Sequence, residues 1–198
     1  MFNVKRLRCF VGWLALLLPW IVVLILRRFP PSISSTYYTH SGPVFMMILG
    51  AASILLMYYD GYDKKDDILN TAAGIFGILI CLFPCDSKEH DYVGVFQVPV
   101  EISEVIHDMS AVIFFVILAC VSMFQFTKHG DQEITKGKRA RNVIYRVCAI
   151  GMLLSFTILV IPKSVLYIKV WLVEAIALFF FGISWLTKAN AYKWLFAD

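Results

Sequence analysis

The stretch Val112-Ile-Phe-Phe-Val-Ile-Leu-Ala-Cys120 decides the fold class of this chain. It holds no charged residue and does not alternate between apolar and polar positions, as the strands of a membrane barrel do. Backbone groups in lipid must be hydrogen-bonded within the protein, so only helices and closed barrels cross a bilayer. The stretch therefore predicts a transmembrane helix, and with it an all-α fold.

The composition of the 198-residue chain extends this prediction to the other segments. The residues are 60% hydrophobic and 16% charged, and the mean hydropathy is +0.74. Soluble domains are nearer 45–50% apolar and about a quarter charged. The apolar residues form blocks close to the ~20-residue length that crosses a bilayer. We predict a single domain, residues 1–198, of six transmembrane helices: Phe10–Leu26, Pro43–Tyr59, Ile68–Pro84, Ile102–Phe126, Val143–Ile161 and Val165–Thr187.

The first predicted span also has the basic start of a signal peptide. A cleavable signal ends in small residues, whereas Val22–Leu26 runs directly into Arg27, which favours a retained span. With the N-terminus inside, thirteen of the 18 Lys and Arg residues lie on the cytoplasmic side and five outside. The positive-inside rule therefore places both termini in the cytoplasm. Topology accounts for the net charge of +4, and no nucleic-acid partner is predicted.

Small residues in the third span predict close helix packing. Asn70, Gly74, Gly77 and Cys81 fall at i, i+4, i+7 and i+11, on one helix face. Such a stripe lets helix backbones approach each other in lipid. Gly50 in the second span and Gly151 in the fifth suggest similar contacts. Cys81 and Cys85 lie four residues apart at the outer end of this third span. The sequence does not decide whether they form a disulfide.

His107 and Glu174 are the candidate functional residues, because each lies inside a predicted span. An ionisable group in hydrocarbon costs on the order of 2.5–3.5 kcal/mol and usually faces a bundle interior or a wet cavity. Both spans enter from outside, which puts these residues roughly 8 and 14 Å deep at ~1.5 Å per residue. We predict that they interact, with Asp108 or His40 nearby.

Three interpretations of this set stay open at this point. One is a buried His–Glu hydrogen bond that joins two spans, and another is a polar pocket for a lipid headgroup or other ligand. The third is a metal site of His, Asp and Glu. Zinc needs three or four such ligands, and the four histidines show no H-E-x-x-H spacing. No metal or cofactor is therefore predicted, and no nucleophile or phosphate-loop motif occurs.

Several short motifs resemble a family of six-span eukaryotic proteins. The family comprises the damage-regulated autophagy modulators (DRAM), the yeast Sfk-type proteins and the Frag-type proteins of GPI-anchor lipid remodelling. The turn Tyr59-Asp60-Gly61-Tyr62-Asp63 resembles that of bacterial proteins with the same layout. The other motifs are Pro31-Ser32-Ile33-Ser34, Asn70…Gly74, Ile106-His107…Ala111-Val112…Phe115 and Glu174…Phe180-Phe181-Gly182.

The resemblance implies an integral membrane protein of a bacterial inner membrane or a eukaryotic membrane, with lipids as partners. Its expected role is lipid organisation or remodelling, and whether it is an enzyme is left open. The carried-over positions Ser34, Asn70, His107 and Glu174 join Asp108 and His40 as predicted ligand-binding residues. The alternative is a metal-dependent intramembrane hydrolase of the ceramidase type, whose H-x-x-x-H pair this chain lacks. Small transporters usually show broken helices or inverted repeats, and neither is evident here.

Overall fold

A computed structural model describes residues 3–129, 135–158 and 169–190, and these form six α-helices. The predicted all-helical class is confirmed, since each predicted span overlaps one helix. A 3-10 turn, Ser34–Tyr38, precedes the second helix, and the fourth continues into a π-helical turn, Val121–Gln125. The predicted boundaries at Ile161 and Val165 lie outside the described residues. The helices are α1 Val4–Leu26, α2 Gly42–Met57, α3 Lys64–Leu82, α4 Val100–Cys120, α5 Lys136–Thr157 and α6 Val170–Lys188.

The six helices form a closed ring. Each helix packs against its neighbours in sequence, and α6 returns to pack against α1. One end of the ring, here called the Glu174 end, holds the last turns of α1, α3 and α5 and the first turns of α2, α4 and α6. The opposite end is called the Lys188 end. Fully buried side chains such as Val11, Leu118 and Trp185 fill the interior.

Side chains at the helix starts explain several of the helix boundaries. Asn3 Oδ1 accepts from the backbone N–H groups of the first turn of α1, and Asp63 Oδ1 does the same for α3. Thr135 caps α5 in the same way. Pro43 lies in the first turn of α2, where its missing N–H and fixed φ are favourable. The loops thus encode where the helices begin.

Glycines bring two pairs of helices together. A Cβ at Gly74 would lie 2.5 Å from the backbone oxygen of Ser53, and one at Gly77 would overlap the Ser53 side chain. This confirms the predicted close contact of α3, made with α2. Gly12 and Gly182 bring α1 and α6 together in the same way, because a Cβ on either would approach the backbone oxygen of the other.

The loop between α3 and α4 contains a small antiparallel hairpin that the sequence did not predict. Its strands, β1 Tyr92–Val93 and β2 Val98–Pro99, have two residues each. The turn between them uses positive φ at Gly94 and Gln97. In the same region the cysteines stay unpaired: Cys81 and Cys85 are both free thiols, so the disulfide that the spacing allowed is not formed.

Three of the helices are long and apolar enough to cross a membrane. They are α1, α4 with its π-helical turn, and α6, and α2 is a shorter apolar helix. These three helices therefore have the length and composition of membrane-spanning helices. Large apolar side chains are also exposed on the outer surface of the ring. Examples from all six helices are Trp13, Met47, Ile75, Met109, Leu154 and Phe179.

We expect Gly74→Ala to destabilise the protein, because the added Cβ cannot avoid the α2 backbone. Overpacking of this kind typically costs about 1–3 kcal/mol. Gly50→Ala is the matched control, since a Cβ at Gly50 meets nothing within 4 Å. There the better helix propensity of alanine should stabilise by up to about 1 kcal/mol. Thermal unfolding in detergent measures both changes, and equal effects of the two substitutions would contradict the proposed contact.

Candidate functional site

A cavity of about 60 Å³ lies inside the ring towards the Glu174 end. Every one of the six helices contributes to its wall, and the space exceeds what one water molecule needs. Ser34 and Glu174 are the polar residues of the lining, and the rest are apolar. The apolar residues are Leu18, Ile33, Phe45, Leu49, Ile80, Ala111, Phe114, Phe115, Phe156 and Leu178.

Glu174 lies in the second turn of α6 and fastens the loop after α1 to this helix. Its Oε2 accepts from the backbone N–H of Ile33 at 2.5 Å, and its Oε1 accepts from the hydroxyl of Ser34 at 3.1 Å. The backbone N–H of Trp171 also donates to Pro31 O at 3.0 Å. The structure thus brings together two predicted site residues, Ser34 and Glu174, at the polar end of the cavity.

His107 has a different partner from the predicted one. It is buried, and its Nδ1 bonds the backbone oxygen of Phe83 at 2.8 Å, just past the end of α3. Ser103, one turn earlier in α4, donates to Pro84 O at 2.7 Å. Among the described residues no hydrogen bond joins His107 to Glu174. The predicted pairing is therefore corrected: the imidazole of His107 bonds the carbonyl of Phe83 instead of the carboxyl group of Glu174.

Tyr38 completes this arrangement by donating from its hydroxyl to Cys85 O at 2.7 Å. Three successive backbone carbonyls, those of Phe83, Pro84 and Cys85, thus each form a hydrogen bond with a side chain. Burial raises the pKa of the Cys85 thiol to about 12, and the negative charges of Glu174 and Asp108 contribute to the rise. The thiol is therefore protonated at neutral pH, and the two carboxyl groups lie within electrostatic range of it.

The remaining predicted site residues do not line the cavity. Asp108 is exposed on α4 although its charge acts near Glu174, and His40 is exposed in the loop before α2. Asn70 lies far from Glu174, towards the Lys188 end, where its Nδ2 donates to Tyr59 O at 3.2 Å. Its Oδ1 is buried without a hydrogen-bond partner among the described residues.

Sequence reasoning missed a second polar cluster, which lies at the Lys188 end. Arg8 donates from Nε and Nη2 to the hydroxyl of Tyr59 at 3.1 and 2.8 Å. Lys188 Nζ donates to the hydroxyl of Tyr62 at 2.8 Å. In the sequence, topology accounts for Arg8 and Lys188, and the turn from Tyr59 to Asp63 stands out only through the family resemblance. Their convergence depends on the closure of α6 against α1.

The metal interpretation gains no support from this geometry. Within residues 3–129, 135–158 and 169–190, no group of three or more His, Cys, Asp and Glu side chains is placed to hold a metal ion. No protein-family model, curated protein or solved structure matches the chain. Inferences about function therefore depend on the cavity and its polar end.

A double-mutant cycle distinguishes the two possible partners of Glu174. We expect Ser34→Ala and Glu174→Ala to couple by on the order of 1 kcal/mol, because they remove the same hydrogen bond. His107→Ala should itself cost about 1–3 kcal/mol, since it leaves Phe83 O unpaired. Its coupling to Glu174→Ala should stay within roughly 0.5 kcal/mol. Stabilities are measured by unfolding in detergent, and a stronger His107–Glu174 coupling would restore the pairing predicted from sequence.

Proposed function

We propose that this chain is a six-span integral membrane protein with both termini in the cytoplasm. The belt of exposed apolar side chains on all six helices supports this, because a soluble protein rarely exposes so large an apolar surface. The charges of α3 and α5 support it too. The charged residues of α3 lie within Lys64–Asp67, and the last charged residue of α5 is Arg146. Both helices thus carry their charges towards the Lys188 end and are apolar beyond it.

In this orientation the Lys188 end faces the cytoplasm and the Glu174 end faces the outer leaflet. Labelling of single cysteines tests the assignment. His40 and Lys136 are exposed at opposite ends of the ring. We expect a membrane-impermeant maleimide to label His40→Cys from outside intact cells, and Lys136→Cys only after permeabilisation. Labelling of the unsubstituted protein gives the background signal from its own five cysteines. Labelling of Lys136→Cys in intact cells would contradict the orientation.

We further propose that the protein binds membrane lipid and contributes to lipid organisation or remodelling. The observation that carries this proposal is the cavity shared by six helices, apolar along its walls and polar at Glu174 and Ser34. An outer-leaflet lipid has the same polarity, with its polar group outward and its hydrocarbon towards the midplane. A segment of one hydrocarbon chain therefore fits against residues such as Phe114 and Leu49.

The polar end selects the kind of headgroup. The Glu174 carboxyl already accepts from two protein donors, Ile33 N–H and the Ser34 hydroxyl. Carboxylate oxygens have about four lone-pair sites between them, so Glu174 has acceptor capacity left. A lipid with an ammonium, amide or hydroxyl donor close to its hydrocarbon suits this position. The proposed activity is binding of such a lipid, and no catalytic step is assigned to the site.

Native mass spectrometry of the purified chain tests the binding proposal. The substitution Ala111→Leu adds three carbons to the cavity wall, and we expect it to lower the occupancy of co-purified lipid roughly tenfold, corresponding to ~1.4 kcal/mol. Val112→Leu is the matched control, because Val112 is exposed on the same helix and should retain lipid. Equal lipid occupancy in Ala111→Leu and the unsubstituted protein would contradict a cavity-bound chain.

A further inference from the structure

Two ammonium groups at the Lys188 end share one backbone carbonyl. Lys138 of α5 and Lys188 of α6 both donate to Phe126 O, at 2.9 and 3.3 Å. Arg8 of α1 reaches the same place, since its Nη1 lies 3.5 Å from Lys188 O. Three basic side chains from three helices therefore converge at the Lys188 end. The positive charges of these side chains repel one another, so the cluster favours a negatively charged ligand.

Among the described residues, the groups in direct contact with these cations supply only partial negative charge. The rings of Tyr62, Phe126 and Tyr145 lie 4.8, 5.1 and 5.9 Å from Lys188 Nζ. Cation–π attraction of this kind and the carbonyls at the end of α6 stabilise a cation. Neither carries a full negative charge. The local surroundings thus hold the cations in position without neutralising them.

The nearby carboxylates are already occupied. Lys128 Nζ binds Asp63 Oδ2 at 2.9 Å and Asp66 Oδ1 at 2.6 Å. The hydrogen bond from Lys128, followed by the backbone N–H of Asp66, lowers the pKa of the Asp63 carboxyl. In the described part of the chain, no carboxylate lies within 4.0 Å of the nitrogens of Arg8, Lys138 or Lys188. Within the described residues the cluster therefore keeps an excess of positive charge, and burial, followed by the charges of Lys138 and Arg8, lowers the pKa of Lys188 to about 7.

The positive-inside rule does not require this convergence. It needs Lys and Arg only on the cytoplasmic side, and exposed residues such as Lys64, Lys65 and Lys136 satisfy it while surrounded by water. Lys138 and Lys188 are instead partly buried side by side. Holding two cations in so small a volume costs free energy unless a ligand completes the site.

We propose that the Lys188 end binds the phosphate group of an anionic ligand through Arg8, Lys138 and Lys188. Arg141 is also partly buried, and its charge acts on Lys188, so it adds a fourth positive charge. The hydroxyl of Tyr62 accepts from Lys188 and keeps its own proton for a phosphate oxygen. A phosphate mono- or diester presents the negative oxygens that such a cluster binds. The group belongs either to an anionic lipid headgroup or to a soluble phosphate compound.

Thermal unfolding of the full chain in nanodiscs tests this site and identifies the source of the phosphate. The reference nanodisc contains phosphatidylcholine alone. One arm adds phosphatidic acid or a phosphoinositide to the lipid, and the other adds inorganic phosphate or ATP to the buffer at matched ionic strength. We expect one of these additions to raise the unfolding temperature by several degrees. A rise with lipid alone assigns a headgroup, and a rise with soluble phosphate assigns a free anion.

Substitutions that remove one charge from the cluster test its residues. We expect Lys138→Met and Lys188→Met each to abolish most of that rise and to lower the affinity about tenfold or more. The exposed Lys136→Met is the matched control, because it removes the same charge two residues from Lys138. It should leave the rise intact. Unfolding in phosphatidylcholine alone shows whether each variant folds, and Arg8→Gln replaces any that does not.

Two results would overturn the proposal. One is the absence of any rise for the unsubstituted protein with all four anionic compounds. The other is an equal loss in Lys136→Met and Lys138→Met, which shows general attraction to a basic surface instead of a site.

Discussion

Backbone carbonyls in an apolar environment need hydrogen-bond donors, and the segment that follows α3 presents three of them in succession. His107 and Ser103 of α4 bond the oxygens of Phe83 and Pro84, and Tyr38 bonds that of Cys85. In an apolar environment each unpaired carbonyl would cost several kcal/mol. These bonds join α3, α4 and the loop before α2. They hold α4 and the loop before α2 against the segment that follows α3, at the end of the ring where Glu174 lies.

The two ends of the ring satisfy their polar groups by different means. At the Glu174 end, neutral donors bond three backbone carbonyls and the Glu174 carboxyl group. At the Lys188 end, Lys138 and Lys188 share a carbonyl among aromatic rings, while Lys128 takes the nearby carboxylates. Apolar side chains and small residues occupy the region between. The two proposed ligands follow this difference, with a neutral or cationic donor group at the Glu174 end and an anion at the Lys188 end.

The helices were predictable because apolar runs and small-residue stripes are local properties of the sequence. The stripe through Gly74 predicted the contact of α3, whereas Gly50, which looked similar, faces open space. The partners of His107 and Glu174 were not predictable in the same way. Both bond backbone atoms, which every residue has, and Glu174 reaches across 141 positions to Ile33. Ser103 was the available signal for the His107 contact, since it lies one turn away on the same face.

The closure of α6 against α1 also sets the order in which the protein can be completed during synthesis. Neighbouring helices can pair as soon as both have been made, but Gly12 of α1 meets Gly182 only after α6 has been made. Until then the cavity lacks its α6 wall, and Ser34 lacks Glu174. A nascent chain of five helices therefore has an open side of apolar and small residues.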